Sequence, residues 1–382
     1  MACRTISELG LHGSIESSSD FDEAGGAVVS EADLLHSLLC CCIGYEGIWC
    51  LYLGRPVSIP TAIMDVAASR CHNRNGLESL MHTAWVGLCI PMAEITGILN
   101  KHPETDLKIV ARLLELDVEL GDWYDTLPPR LTYHEMHIAD LDATAYGLHM
   151  QYCKVRILMQ QAFIKASALQ NRSPDYANFN GPLDPYSLHV MRRQVIYQNA
   201  IRITRLLLTY RQIFGVEEIP SVMLDNVSLA ATCLITHLLE KQISNCFEER
   251  DMKWLRLLLK TLVSVQIHFP VSKRILSTLK QMTDGTPLQD VFSTPMDLIS
   301  GAPSISRPDK TSNVAVEEEG MEGGVTGMGI GLWSSFGIDA GTSNLAFNDT
   351  DVFPHSEQLP NNVLRNSERQ WMNQQSLNPD SS

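Results

Sequence analysis

His134-Glu135-Met136-His137 is the stretch of this sequence nearest to a metal-binding motif. A zinc site borne on one helix needs histidines at i and i+4, with a glutamate beside the first as general base. Here the histidines are three apart and follow Pro128-Pro129, so the segment reads as a solvent-facing connector. Gly323-Gly324-Val325-Thr326-Gly327-Met328-Gly329-Ile330-Gly331 has the glycine content of a phosphate loop. It lacks the Lys-Ser/Thr that holds phosphate and metal, and it reads as a flexible linker. The acidic pairs Glu217-Glu218 and Glu248-Glu249 adjoin Pro220 and Arg250, and suit solvated helix ends better than general acid–base work. Ten cysteines, at 3, 40, 41, 42, 50, 71, 89, 153, 233 and 246, contain no C-x-x-C pair. Most fall in apolar helical contexts, where a free thiol behaves as a small hydrophobe, and a reducing compartment follows. No nucleophile elbow or aspartate-rich metal motif is present. The expectation is a non-enzyme with no catalytic, cofactor-binding or metal residue in this chain.

The elements that would hold any site are helical. Runs of 10–25 residues with helical period and almost no strict alternation predict an all-α, antiparallel-looking multi-helix array. The spacing predicts helices over 31–53, 77–99, 105–127, 140–168, 185–215, 223–244, 251–269 and 271–282, with Pro91 kinking or breaking the second. In the fourth, Leu148, Tyr152, Val155, Met159 and Ala162 share a stripe; in the fifth, Val190, Tyr197, Ile201, Thr204 and Leu208 do. Leu34–Leu53 is long enough to span a bilayer, but Glu46 in mid-run favours a buried helix over a membrane span. The first ten residues carry Arg4 and Glu8 and no apolar core, unlike a signal peptide. The helix over 31–53 should stop at Gly54, which can take the left-handed conformation, with Pro56 and Pro60 forbidding its continuation.

Charge divides the chain of 382 residues, whose formal net charge is −15. Residues 281–382 hold 14 acidic and 4 basic side chains, and neither part offers a basic footprint for nucleic acid. From about Gly285 the composition shifts to Gly, Ser, Pro, Asn, Asp and Glu without apolar period. Such a segment buries too little surface to offset its ordering entropy, so residues 284–382 are read as a disordered acidic tail. Within it Trp333, Phe336, Ile338, Leu345, Phe347, Val352 and Phe353 alternate with Asp339, Asp349 and Asp351. Carboxylates that keep aromatics exposed for docking in an apolar groove make this stretch a candidate activation region.

Four segments in order resemble the fungal-specific transcription factor domain, the all-helical middle region of fungal binuclear-zinc-cluster regulators, nearest the nitrogen-assimilation activator type. They are Leu9-Gly10-Leu11-His12; Gly54-Arg55-Pro56 at a helix end; Trp123 with Leu127-Pro128-Pro129-Arg130-Leu131; and Leu148-His149-Met150-Gln151-Tyr152. The sequence departs from that family around Cys40-Cys41-Cys42, where the usual arginine pair and Phe-Trp are replaced, and at Glu46, where the family has aspartate. The resemblance implies a regulatory domain over 1–283, with 13–30 as a variable loop, in a nuclear protein that controls RNA polymerase II transcription. Its partners would be co-regulators or the transcription machinery and a second copy or a related factor, with no membrane. By the same resemblance Met1 falls partway into the domain. Sequence-specific DNA binding, and zinc, are therefore expected only from a cluster absent from this chain, which carries no cofactor of its own. Alternatives are a non-DNA-binding module that pairs with a full-length relative and lowers its activity, and a helical enzyme of unrecognised chemistry. Arg55 would satisfy helix-end carbonyls through its guanidinium.

Overall fold

The computed structural model describes residues 31–71, 76–100, 107–170, 185–216, 219–243 and 252–292. These are 86% helical and contain no strand. The order is α1 (Glu31–Leu53), α2 (Thr61–Cys71), α3 (Leu77–Asn100), α4 (Leu107–Asp125), a 3-10 turn Glu135–Asp140, α5 (Ala143–Gln170), α6 (Pro185–Phe214), α7 (Ser221–Ile243), α8 (Met252–Ser264) and α9 (Val271–Thr283), with short 3-10 turns after α8 and α9. The all-α expectation holds. Leu9, Gly10, Leu11 and the acidic-aromatic tail with Trp333, Phe336, Asp339, Phe347, Asp349, Asp351 and Phe353 lie outside the described residues.

α5 is the centre of the array. It packs on α4, α6 and α7 and also on α3. A helix covered on so many sides cannot keep a polar face in water, and Ala145 to Ile157 is buried apart from Gly147. The stripe expected on this helix is buried throughout, from Leu148 to Ala162. Its start is capped by Asp142, whose carboxylate accepts from the backbone N–H of Thr144 at 2.9 Å and from the Thr144 hydroxyl. On α6 the expected stripe is displaced. Val190 is 48% exposed, and the deep face is Ile196, Ala200, Ile203, Leu207 and Tyr210. Of the expected positions, Thr204 is fully buried, Tyr197, Ile201 and Leu208 are half-buried at the edge of this face, and Val190 lies off it.

α1 ends as its sequence requires. Gly54 has φ 62° and the backbone N–H of Arg55 reaches the Cys50 carbonyl at 2.9 Å, closing the last turn. The main chain of Arg55 does this, while its side chain stays exposed. Glu46 then ties down the following segment: its carboxylate accepts from the backbone N–H groups of Ser58 at 2.6 Å and Ile59 at 3.2 Å, and from the Ser58 hydroxyl. Immediately beyond, Pro60 starts α2, a helix that the sequence reading did not anticipate; the Ile63 N–H bonds the Pro60 carbonyl at 3.0 Å. α3 runs from Leu77 to Asn100 through Pro91 as one helix, not two. α1 and α3 are long and apolar enough to cross a membrane, yet each is largely buried against its neighbours. Packed structure continues past residue 283, since Leu288 is 1% exposed.

Candidate functional site

The end of α4, the connector after it, and the facing turns of α5 and α6 gather a cluster of polar and aromatic groups among the described residues. Asp122 begins the last turn of α4, and Trp123 follows with its indole N–H donating to the Ala84 carbonyl on α3 at 3.2 Å. That approach needs Gly87: a Cβ there would lie 2.9 Å from the Trp123 Nε1. Tyr124 stacks on Tyr152 of α5 with ring centroids 4.5 Å apart, and Trp123 lies 5.7 Å from the same ring. Pro128 and Pro129 then turn the chain so that Leu127, Leu131 and Tyr133 are buried. Across this turn, the His149 Nε2 donates to the Leu131 carbonyl at 2.7 Å. A carbonyl can only accept, so the proton is on Nε2, and Nδ1 is an acceptor. Burial is the main reason the His149 pKa falls to about 4; the bond to Leu131 opposes it and the Arg202 charge adds to it.

Thus two segments of the family resemblance interlock. Trp123, Leu127 and Pro128 form one side, and Leu148, His149, Met150, Gln151 and Tyr152 the other, all five of the latter buried. Gln151 reaches the Met92 sulfur on α3 at 3.4 Å. Gly54, Arg55 and Pro56 stand apart at the end of α1.

Arg202 of α6 completes the cluster. Its Cζ lies 4.8 Å from the Tyr133 ring centroid, and its guanidinium hydrogen-bonds the Cys153 thiol. The residue is partly exposed, while its charged end is set deep enough for burial to be the strongest influence on it. Around it are acids that stay protonated. Burial pushes Tyr133 up to about 12 and Cys153 up to about 11, and raises Tyr124 and Tyr152 likewise. At neutral pH these neighbours therefore offer dipoles and no negative charge. Among the described residues, no carboxylate pairs with Arg202. The phenol oxygen of Tyr133 and the Nδ1 of His149 are also buried without a hydrogen-bond partner.

One helical turn further along α5, charge is matched. Arg156 donates to the Asp117 carboxylate of α4 at 2.5 Å, Gln160 approaches the other carboxylate oxygen at 3.5 Å, and Arg192 of α6 donates to the Gln160 carbonyl at 2.7 Å. Asp117, Arg156, Gln160 and Arg192 are all buried. The Arg192 guanidinium also lies over the Phe163 ring at 4.0 Å.

The remaining sequence candidates fall elsewhere. His134, Glu135, Met136 and His137 occupy the exposed 3-10 connector. Glu135 pairs with Arg205 of α6 at 2.9 Å, and the His137 Nδ1 stands 3.3 Å from Asp140. The segment thus fastens the turn to α6. No group of three or more metal-ligating side chains occurs among the described residues. The glycine-rich stretch 323–331 and the acidic pairs at 217–218 and 248–249 lie outside them. Cys40, Cys41, Cys89, Cys153 and Cys233 are free and buried, as apolar thiols should be.

Sequence reasoning missed Arg202, Arg156 and Arg192 as inward-facing groups. The available signal was an arginine flanked by apolar residues, as in Ile201-Arg202-Ile203 and Val155-Arg156-Ile157. No protein-family model, curated protein or solved structure matches the chain.

Proposed function

We propose that this chain is the regulatory portion of a nuclear transcription regulator, without catalytic chemistry of its own. Its helical body controls activity, and its acidic-aromatic tail contacts the transcription machinery. DNA would be reached through a separate zinc cluster or through a partner that carries one. What supports the reading is the interlock around Tyr152. The segments Trp123 to Leu131 and Leu148 to Tyr152, which carry the family resemblance, pack against each other through Trp123, Tyr124 and Tyr152 and are joined by the His149–Leu131 bond at 2.7 Å. Residues shared for packing and turn formation would be kept together in this way.

The test is to fuse the full chain to an unrelated DNA-binding domain and measure a reporter. Wild type should drive it, and the quadruple change of Trp333, Phe336, Phe347 and Phe353 to Ala should abolish the signal with the carboxylates left in place. A reporter unresponsive to the wild-type fusion overturns the proposal.

A further inference from the structure

We propose that Arg202, Tyr133 and His149 form the binding site of a small carboxylate that carries a neighbouring hydroxyl donor. The argument begins with what each group lacks. Arg202 brings a permanent positive charge into the space between α5, α6 and the turn after α4, and no carboxylate among the described residues answers it. A charge held partly out of water and answered only by neutral groups is costly, and a bound anion would offset that cost. Tyr133 is 6% exposed and its hydroxyl has no partner. It can donate to an oxygen. His149, fully buried, has an unpartnered Nδ1 that can only accept, because Nε2 carries the proton given to Leu131. Two donors and one acceptor, with a single net positive charge, define the complement: a monoanion that presents oxygens to Arg202 and Tyr133 and one N–H or O–H to His149.

The groups are contiguous. The Tyr133 and His149 rings are 5.7 Å apart, and Arg202 covers Tyr133 at 4.8 Å. A 2-hydroxy acid carries such a set of groups on one monoanion, and its planar carboxylate suits the guanidinium fork. A phosphate dianion fits less well, because the second nearby cation, Arg205, is held by Glu135 at 2.9 Å. Arg202 is the partly exposed member of the set.

The proposal goes beyond the transcriptional reading and does not depend on it, since it is tested on the purified full chain without a reporter. Thermal unfolding and titration calorimetry are run at pH 7.5 and matched ionic strength with sodium glycolate, sodium acetate and sodium chloride. Glycolate should raise the unfolding temperature saturably, acetate less, and chloride not at all. Arg202→Met should lose the glycolate response while the ligand-free variant unfolds at or above the wild-type temperature. Tyr133→Phe keeps the ring under Arg202 and should bind glycolate ~10-fold more weakly. The proposal is overturned if chloride reproduces the glycolate effect, if wild type shows no saturable response, or if both variants respond as wild type does. Marked destabilisation of ligand-free Arg202→Met also overturns it, because the cation would then serve the fold through the Tyr133 ring.

Discussion

The α1–α3 interface and the α4–α5–α6 junction both bury helices against one another, by opposite means. In the first, Leu39, Ile43 and Ile48 of α1 are buried where that helix packs on α3, with Gly47 beside Cys89 and Met92, and the buried polar groups are few. His36 lies 3.6 Å from the Cys40 sulfur, and His82 lies 3.9 Å from the Cys41 sulfur. The apolar contacts that surround them are non-directional and tolerate small displacements. In the second, Asp117, Arg156, Gln160 and Arg192 bind each other across three helices, so that a shift of one turn would leave a charge without its partner. Apolar burial draws the helices together in both regions, whereas only the charged network dictates which residues must face each other.

That contrast is broken most directly at Asp117. Asp117→Ala leaves Arg156 charged and buried, and should cost about 3–5 kcal/mol by urea denaturation of the full chain. The paired change Asp117→Leu with Arg156→Met should return most of that loss. At the apolar interface, Cys89→Ala should cost roughly 1 kcal/mol. Equal losses at Asp117 and Cys89 would mean that the network carries no special weight.

A smaller effect should follow from pH. Folded His149 titrates at about 4, below its ordinary 6.5, so between those values the unfolded chain binds a proton that the native state refuses. The stability held by the neutral ring is complete above about 6.5 and is lost as pH falls toward 4, a change of about 3 kcal/mol. His149→Gln, which keeps a donor for Leu131, should flatten this part of the stability–pH curve. An unchanged slope would place the acid sensitivity elsewhere.

The two regions were not equally legible in the sequence. Periodicity and capping chemistry located α1 to its observed ends, and Gly54 adopts the conformation its position demanded. The central stripe of α5 was visible for the same reason. Buried charge was not. Asp117 is buried on α4, but its partner is 39 residues away on α5, and the spacing of one sequence holds no record of that pairing. Arg202 was hidden similarly, since arginine in a helix ordinarily reads as solvated. α2 was obscured because Pro56 and Pro60 signal the end of one helix as strongly as the start of the next.

Packing across the boundary between the regions can be tested at Gly87, where α3 receives Trp123 of α4. Gly87→Ala sets a Cβ 2.9 Å from the indole nitrogen and threatens its bond to Ala84. Overpacking outweighs the gain in helix propensity, leaving a net loss of about 1–2 kcal/mol. The Trp123 indole N–H resonance should move in the same variant. An unshifted resonance with unchanged stability would show that the helices separate freely at this point.

The smallest expected difference is the sharpest control, because it sets the same chemistry in both regions. Glu46 accepts from the backbone N–H of Ser58 at 2.6 Å beside the apolar interface, and Asp142 accepts from that of Thr144 at 2.9 Å at the entry to the charged junction. Neither carboxylate is deeply buried, and each fixes a chain segment next to a helix. Glu46→Ala and Asp142→Ala should therefore each cost about 1 kcal/mol, with urea midpoints displaced alike. Agreement between them would confine the contrast to charges sealed inside the fold, since surface-level anchoring would then be worth the same on both sides. If Glu46→Ala instead cost as much as Asp117→Ala, the apolar region would depend on a directional contact as strongly as the junction does, and the proposed division between the two would fail.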